Sequence, residues 1–195
     1  MKSRWTNTNR SSMTNMVNPS LILKSDTIYL RPLNIQDVNT TYLSWLQDNE
    51  VMSGIATSGY TLQKLHDYVK EKTETTNVAF FAICSNDENE HIGNIKLDFH
   101  DAKANVSELG LLIGNKNYWG KGVGSQACKL AIEYGFDTMD LRKIYLAVYE
   151  NNPHAKKLYE KLGFTLEGTL RKHILADGNF CDKYLMGIFK NEFIK

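Results

Sequence analysis

Cysteine is scarce in this chain. Cys84, Cys128 and Cys181 are odd in number, far apart and never in CxxC spacing. That speaks against a disulfide framework and a zinc site alike and fits a reducing compartment, so the expected location is cytoplasmic and no metal is expected. Net charge is nearly absent, +1 at pH 7, so the chain lacks the basic field with which proteins hold nucleic acid. No apolar run approaches the roughly 20 residues that span a bilayer. The first twenty residues are polar, rich in Ser, Thr and Asn, and lack the apolar stretch of a secretory signal. Neither nucleic acid nor membrane is therefore expected as a partner. Repeats, low-complexity blocks and linkers are missing after residue 25. What is present is 195 residues, 42% of them apolar, enough for one core. The expected organisation is a polar tail over residues 1–25, loose or forming an extra edge segment, and a single domain over residues 26–195.

Hydrophobic periodicity supplies the elements. Residues 26–32 alternate as a strand ended by Pro32. Asn34 and Asp37 open a helix carrying Ile35, Val38, Tyr42, Trp45 and Leu46, and Thr61 opens a second with Leu62, Leu65 and Val69 on one face. Residues 78–84 are a continuous apolar run, as in a buried strand. Strands follow at 91–99 and 108–114, then a helix from about Ser125 to Phe136 and a strand at 143–149. A short helix runs from Pro153 to Leu162, and final strands at about 165–175 and 180–189 flank the turn 176–179. The order β-α-α-β-β-β-α-β-α-β-β suits an α+β domain with a largely antiparallel sheet, rather than a doubly wound parallel one.

Between the strand at 108–114 and its helix lies Asn117-Tyr118-Trp119-Gly120-Lys121-Gly122-Val123-Gly124-Ser125. Glycines let the backbone bend and let a ligand approach the amides. The first amides of a helix lack intrahelical partners, and the helix dipole favours an anion there. Strand, glycine loop and helix thus form a pyrophosphate cradle, to which Lys121 can add one charge. The GxxxxGK pattern of triphosphate loops does not match, because Gly114 to Gly120 is one residue too long and Gly122 stands where Ser or Thr is required. Nor does the dinucleotide GxGxxG, since the spacing here is GxGxG. A loop with incidental glycines is the competing reading.

Residues 150–164 read ENNPHAKKLYEKLGF. Asn152 is a good N-cap, Pro153 stands at the favoured first position, and Gly163 can end the helix. Ala155, Leu158, Tyr159 and Leu162 share a face, so Tyr159 reads either as a core aromatic or as a phenol beside a cleft. A phenol there could protonate a leaving thiolate.

The blocks NYWGKGVGSQA, NNPHAKKLYEKLGF and EGTLRKHILADGNFCDKYLMGI, with YLSWLQDNEVMSGI upstream, resemble the GNAT superfamily of acyl-CoA-dependent N-acetyltransferases from about residue 27 to 190. The family signature Gln/Arg-x-x-Gly-x-Gly/Ala is met by residues 119–124, except that Trp119 fills the first slot. That departure resembles the branch of ribosomal-protein N-terminal and nucleotide-sugar acetyltransferases. The resemblance implies a mixed, mostly antiparallel central sheet flanked by about four helices, with the strand at 108–114 splayed from that at 143–149. It implies acetyl-CoA as cosubstrate, bound by Trp119, Gly120, Lys121 and the amides of Gly122, Val123, Gly124 and Ser125. Backbone groups near Leu112 and Ile113 would hold the pantetheine arm and polarise the acetyl carbonyl. Asn152 would touch the arm, a bare cap being the alternative, and Tyr159 would be the general acid.

An amine must be neutral to attack; a lysine amine near pKa of about 10.4 needs more help than an α-amine near about 8. Glu108 is the candidate base, direct or through water, with a solvated strand-edge carboxylate as the alternative; Asp98, His100 and Asp101 rank behind it. No cysteine has a nucleophile's setting, so the expected reaction is direct transfer in a ternary complex. The acceptor is expected against loop 49–60 and hairpin 172–182, lined by Trp45, Asn49, Ser53, His173 and Asp177. An amino sugar on a nucleotide and a protein N-terminal amine both remain open as acceptors. A polyamine acetyltransferase and a non-catalytic CoA-binding regulatory domain are the competing functions, and a homodimer is left open.

Overall fold

The computed structural model describes residues 17–54, 59–101, 103–176 and 178–193. Its strands are β1 (Leu23–Lys24), β2 (Ile28–Pro32), β3 (Val78–Ser85), β4 (His91–Asp101), β5 (Val106–Ile113), β6 (Lys143–Tyr149), β7 (Thr165–Ala176) and β8 (Asn179–Phe189). Its α-helices are α1 (Thr40–Gln47), α2 (Leu62–Glu74), α3 (Val123–Asp137) and α4 (Pro153–Lys161). One eight-stranded sheet has the order β1-β2-β3-β4-β5-β6-β8-β7. Every neighbouring pair is antiparallel except β5 and β6. This is the mixed α+β architecture expected from the order of elements. Among the described residues no helix is long and apolar enough to cross a membrane.

Strand alternation divides the core in two. Ile28, Leu30, Ala79, Phe81, Ile83, Ile95, Leu97, Leu109, Ile144 and Leu146 meet α3 and α4 on one face. Val78, Phe80, Ala82 and Cys84 meet Tyr42 and Trp45 of α1 and Leu65 and Val69 of α2 on the other. β3 is buried along its whole length because both of its faces are covered, which explains its unbroken apolar run.

One local reading changes. The helix expected to run from residue 35 to 46 is broken. Asn34 caps a 3-10 turn, Ile35–Asp37, and Asn39 opens a fresh helix by accepting the Tyr42 N–H at 2.9 Å. Asp37 is held back by Arg31 at 2.6 and 2.8 Å and by the Asn34 N–H at 2.9 Å. Burial alone would raise its carboxyl pKa, but these donors outweigh it and hold the pKa below the usual range. The tail expected over residues 1–25 lies partly outside the described residues. Its described end is packed: Val17 is buried, and Leu23 and Lys24 pair with Leu30 and Tyr29.

Candidate active site

β5 pairs with β4 along its whole length, from Asp101–Val106 to Gly93–Ile113. With β6 it pairs only Val106 to Lys143, Ser107 to Ile144 and Glu108 to Tyr145. β6 itself continues beside β8 as far as Tyr149–Lys183. Past Glu108 the outer edge of β5 and the facing edge of β6 therefore border a gap, and backbone groups there have no ladder partner.

The start of α3 lies at this gap. Gly120 and Gly122 have φ of +73° and +77°, the left-handed region that favours glycine. A Cβ on either would meet no atom within 4 Å, so the space in front of the loop is open. The first intrahelical bond is Gln126 N–H to the Gly122 carbonyl at 3.1 Å. The amides of Val123, Gly124 and Ser125 are thereby left without a helical acceptor. A Cβ at Gly124 would touch Leu111 Cδ2 of β5 at 3.5 Å and Leu158 Cδ1 of α4 at 3.8 Å. Glycine here lets three elements converge on one spot. Free amides at a helix start, with open space before them, fit a diphosphate.

Asn152 caps α4 by accepting the Ala155 N–H at 3.1 Å, so its side-chain oxygen is committed to the helix. Tyr159 lies about two turns along, 7% exposed, its ring set against Phe164 at 5.7 Å. Its hydroxyl makes no hydrogen bond among the described residues. Burial, with a smaller contribution from Cys128, pushes its pKa up, so the phenol stays protonated. Burial pushes the Cys128 thiol up to about 12, which removes it as a nucleophile.

Alternation turns Glu108, Gly110 and Leu112 to the opposite face from Leu109, Leu111 and Ile113, and turns Tyr145 and Tyr149 to that same face. Burial and then the Glu108 charge push the Tyr145 phenol up to about 12 and raise Tyr149 as well. Glu108 thus lies half-buried beside two phenols, with Asp98 directly across on β4. Lys72 and Lys96 both reach Asp98 Oδ2, at 3.0 and 3.2 Å. His100 packs edge-on against Tyr145 at 5.7 Å. Asp101 accepts the N–H groups of Lys103 and Ala104 at 2.8 and 3.0 Å and shapes the β4–β5 turn.

The segment from Asp48 to Gly54 straps the mouth of the gap. On the β5 side, Lys116 Nζ reaches Asp48 at 2.6 Å and Glu50 at 3.1 Å. On the β6 side, Asn151 Nδ2 donates to the Ser53 carbonyl at 3.4 Å, and a Cβ on Gly54 would meet Asn152 Nδ2 at 3.0 Å.

Of the residues expected at the site, the structure brings together Glu108, Leu112, Ile113, the 119–125 loop, Asn152, Tyr159 and Ser53 around the gap. Trp45 is elsewhere. It is 6% exposed, wedged against Gly114, with the Tyr42 ring tilted against it at 5.6 Å and His91 edge-on at 5.1 Å, the setting of a core residue. Asn49 is exposed in the strap, and His173 is exposed in a bulge of β7 between Leu170 and Ile174. Asp177 and residues 55–58 of the expected loop lie outside the described residues. Trp119 donates its indole N–H to the Ile113 carbonyl at 2.9 Å, so that carbonyl of β5 is already bonded. Lys121 leans over the Tyr118 ring at 5.7 Å. Sequence reasoning passed over Lys72, Lys96, Tyr145 and Tyr149. The charged alternation Lys96–Asp98 among Ile95, Leu97 and Phe99 was the available signal.

A family model described as "Acetyltransferase (GNAT) domain" matches residues 27–165. The uncharacterized N-acetyltransferase p20 of Bacillus licheniformis is 28% identical over 179 residues, covering 88% of this chain and 97% of that protein. Spermidine N(1)-acetyltransferase of Escherichia coli K12 is 37% identical over 83 residues, 43% of this chain and 45% of that one. Among solved structures, spermidine N-acetyltransferase from Vibrio cholerae in complex with CoA and spermine superposes with a TM-score of 0.79 at 24% identity, covering 86% of this chain and 98% of that one.

Proposed function

The chain belongs to the GNAT acetyltransferase family and is an acetyl-CoA-dependent acyltransferase, and from that premise we propose that the gap between β5 and β6 is its transfer site. One observation carries the reading: ladder pairing stops at Glu108, and past it the start of α3 meets Leu111 of β5 and Leu158 of α4, one residue before Tyr159. The amides of Val123, Gly124 and Ser125 hold the CoA diphosphate, with the helix dipole behind them. The pantetheine arm lies along the unpaired edge of β5, and an amide of that edge near Leu112 stabilises the oxyanion that forms on attack.

The acceptor nitrogen attacks the thioester carbon in a ternary complex. A C–N bond forms and the C–S bond breaks. Glu108 takes the proton lost by the amine, directly or through one water, and Tyr159 gives its proton to the departing sulfur. Glu108 and Tyr159 face opposite sides of the sheet, so the gap separates base from acid as the reaction requires. Holding both reactants there lowers the barrier by several kcal/mol, on the order of the effect of intramolecular juxtaposition.

The acceptor is a primary amine, an amino sugar on a nucleotide or a protein N-terminus. A polyamine is the second reading, favoured by the likeness to spermidine acetyltransferases. Thiol release from acetyl-CoA against a panel of aminoacyl peptides, polyamines and nucleotide-linked amino sugars tests the activity. Tight CoA binding without thiol release for any amine would favour a regulatory CoA-binding domain instead.

A further inference from the structure

If the transfer site is the β5–β6 gap, the acceptor arrives over the sheet face that carries Glu108, and the charges on that face select among amines. We propose that the acceptor is a small amine bearing an anionic group, phosphate or carboxylate, and that Lys96 and Lys72 recognise that group.

Lys96 stands on β4 opposite Gly110, one row along from the Asp98–Glu108 pair. Gly110 has no side chain, so the Lys96 alkyl chain crosses β5 there: its Cε, Cγ and Cδ lie 3.2, 3.4 and 3.9 Å from where a Cβ of Gly110 would stand. Diagonal neighbours on a sheet are about 7–8 Å apart, so this lysine borders the space above Glu108. Its ammonium reaches Asp98 Oδ2 at 3.2 Å, and Lys72, from α2, reaches the same oxygen at 3.0 Å. Two ammonium groups sharing one carboxylate leave a net positive charge. Both lysines are only partly exposed, 22% for Lys72 and 26% for Lys96, so bulk water screens that charge incompletely.

Of the other carboxylates nearby, Glu167 is ion-paired, and Asp182 and Glu150 keep their charge among Arg171, Lys172 and Lys183. Glu167 is paired with Lys143 at 2.6 Å. Asp182 accepts the Lys172 N–H at 2.8 Å, and Glu150 accepts the Asp182 N–H at 3.0 Å. Arg171, Lys172 and His173 bulge out, exposed, from β7, and Lys183 lies beside them on β8. Tyr145 and Tyr149 lie beside Glu108 on the β6 side. Glu108 is thus offered to an amine, and beside it a positive cluster to an anion. A polyamine would bring a second ammonium against Lys96 and Lys72, where like charges repel.

The test compares acceptors that differ in one charge: glucosamine 6-phosphate with glucosamine, β-alanine with its amide, and spermidine. The phosphate and carboxylate pairs distinguish the two sources of anion. The expected result is a kcat/KM at least tenfold higher for an anionic member than for its neutral partner, with spermidine poorest. Lys96→Met should bring that ratio close to one by raising the KM of the anionic acceptor, with the KM for acetyl-CoA unchanged, and Lys96→Arg should retain most of it. Lys72→Met, on the surface of α2, serves as a second variant and should lower the ratio in the same way. A preference for spermidine or for the neutral partners, or a ratio untouched by both lysine variants, would overturn the anionic acceptor while leaving acetyl transfer intact. Release of no thiol with any amine would instead sink the transfer site and this proposal together.

Discussion

β5 has two neighbours and treats them differently. Against β4 it is zipped from one end to the other; against β6 it lets go after Glu108. The closed seam is lined by side chains that fit one another, such as Ile95, Leu97 and Leu109, sealed beneath α3. Among the described residues, the open seam is bordered by strand-edge amides without ladder partners and by the first amides of α3, and the Tyr159 hydroxyl makes no hydrogen bond. Closed packing stabilises the fold, and unpaired polar groups persist only where solvent or a ligand satisfies them. The contrast separates the residues that hold the protein together from those available for chemistry, and substitutions on the two sides should fail in different assays.

The largest effect belongs to the closed side. Phe81 is fully buried and sits edge-on to Tyr134 at 5.3 Å. Phe81→Ala should lower unfolding free energy by about 3–5 kcal/mol, read from urea denaturation. A loss below about 1 kcal/mol would mean the core under α3 is less tightly packed than its burial indicates. Tyr159→Phe acts on the open side: turnover should fall roughly 100-fold, with acetyl-CoA affinity and melting temperature nearly unchanged. Unaltered turnover would remove the phenol from the reaction. Gly122→Asp places a charge and a strained φ at the start of α3, and CoA binding measured by titration should weaken roughly tenfold. Normal affinity would mean that the diphosphate binds elsewhere.

The smallest effect is a pH dependence of the closed side. Burial among Tyr42, Trp45 and Asn94 lowers the pKa of His91, a hydrogen bond to Asn94 at 2.9 Å offsetting this only in part. An unfolded histidine titrates near about 6.5, so the unfolded chain binds the proton first. The stability is fully present above that pH and is lost as pH falls from there through the lower folded value. Denaturation midpoints at pH 7.5 and 5.5 should differ in that direction, and less so in His91→Gln. An equal difference in the variant would assign the effect to another group.

Much of the fold was legible because its signals are local. The unbroken apolar run of β3, the Asn152–Pro153 start of α4 and the glycines before α3 each require one conformation, whatever surrounds them. The break between Ile35–Asp37 and α1 was not, because Val38 keeps the helical period while Asn39 begins a new cap. Nor was the fate of Trp45: an aromatic on the inner side of a helix looks the same whether it meets a substrate or, as here, Gly114 and His91. Lys96 showed in the sequence only as a charged break in β4, because its path depends on Gly110, a residue on another strand. Periodicity reports which face a side chain takes, while its partners depend on register between distant segments.

A crystal structure of the complex with CoA tests the central claim most directly. The diphosphate oxygens should lie within hydrogen-bonding distance of the Val123, Gly124 and Ser125 amides, with the thiol between β5 and β6 and near the Tyr159 hydroxyl. A diphosphate bound away from the start of α3, or an arm that bypasses the gap past Glu108, would contradict it.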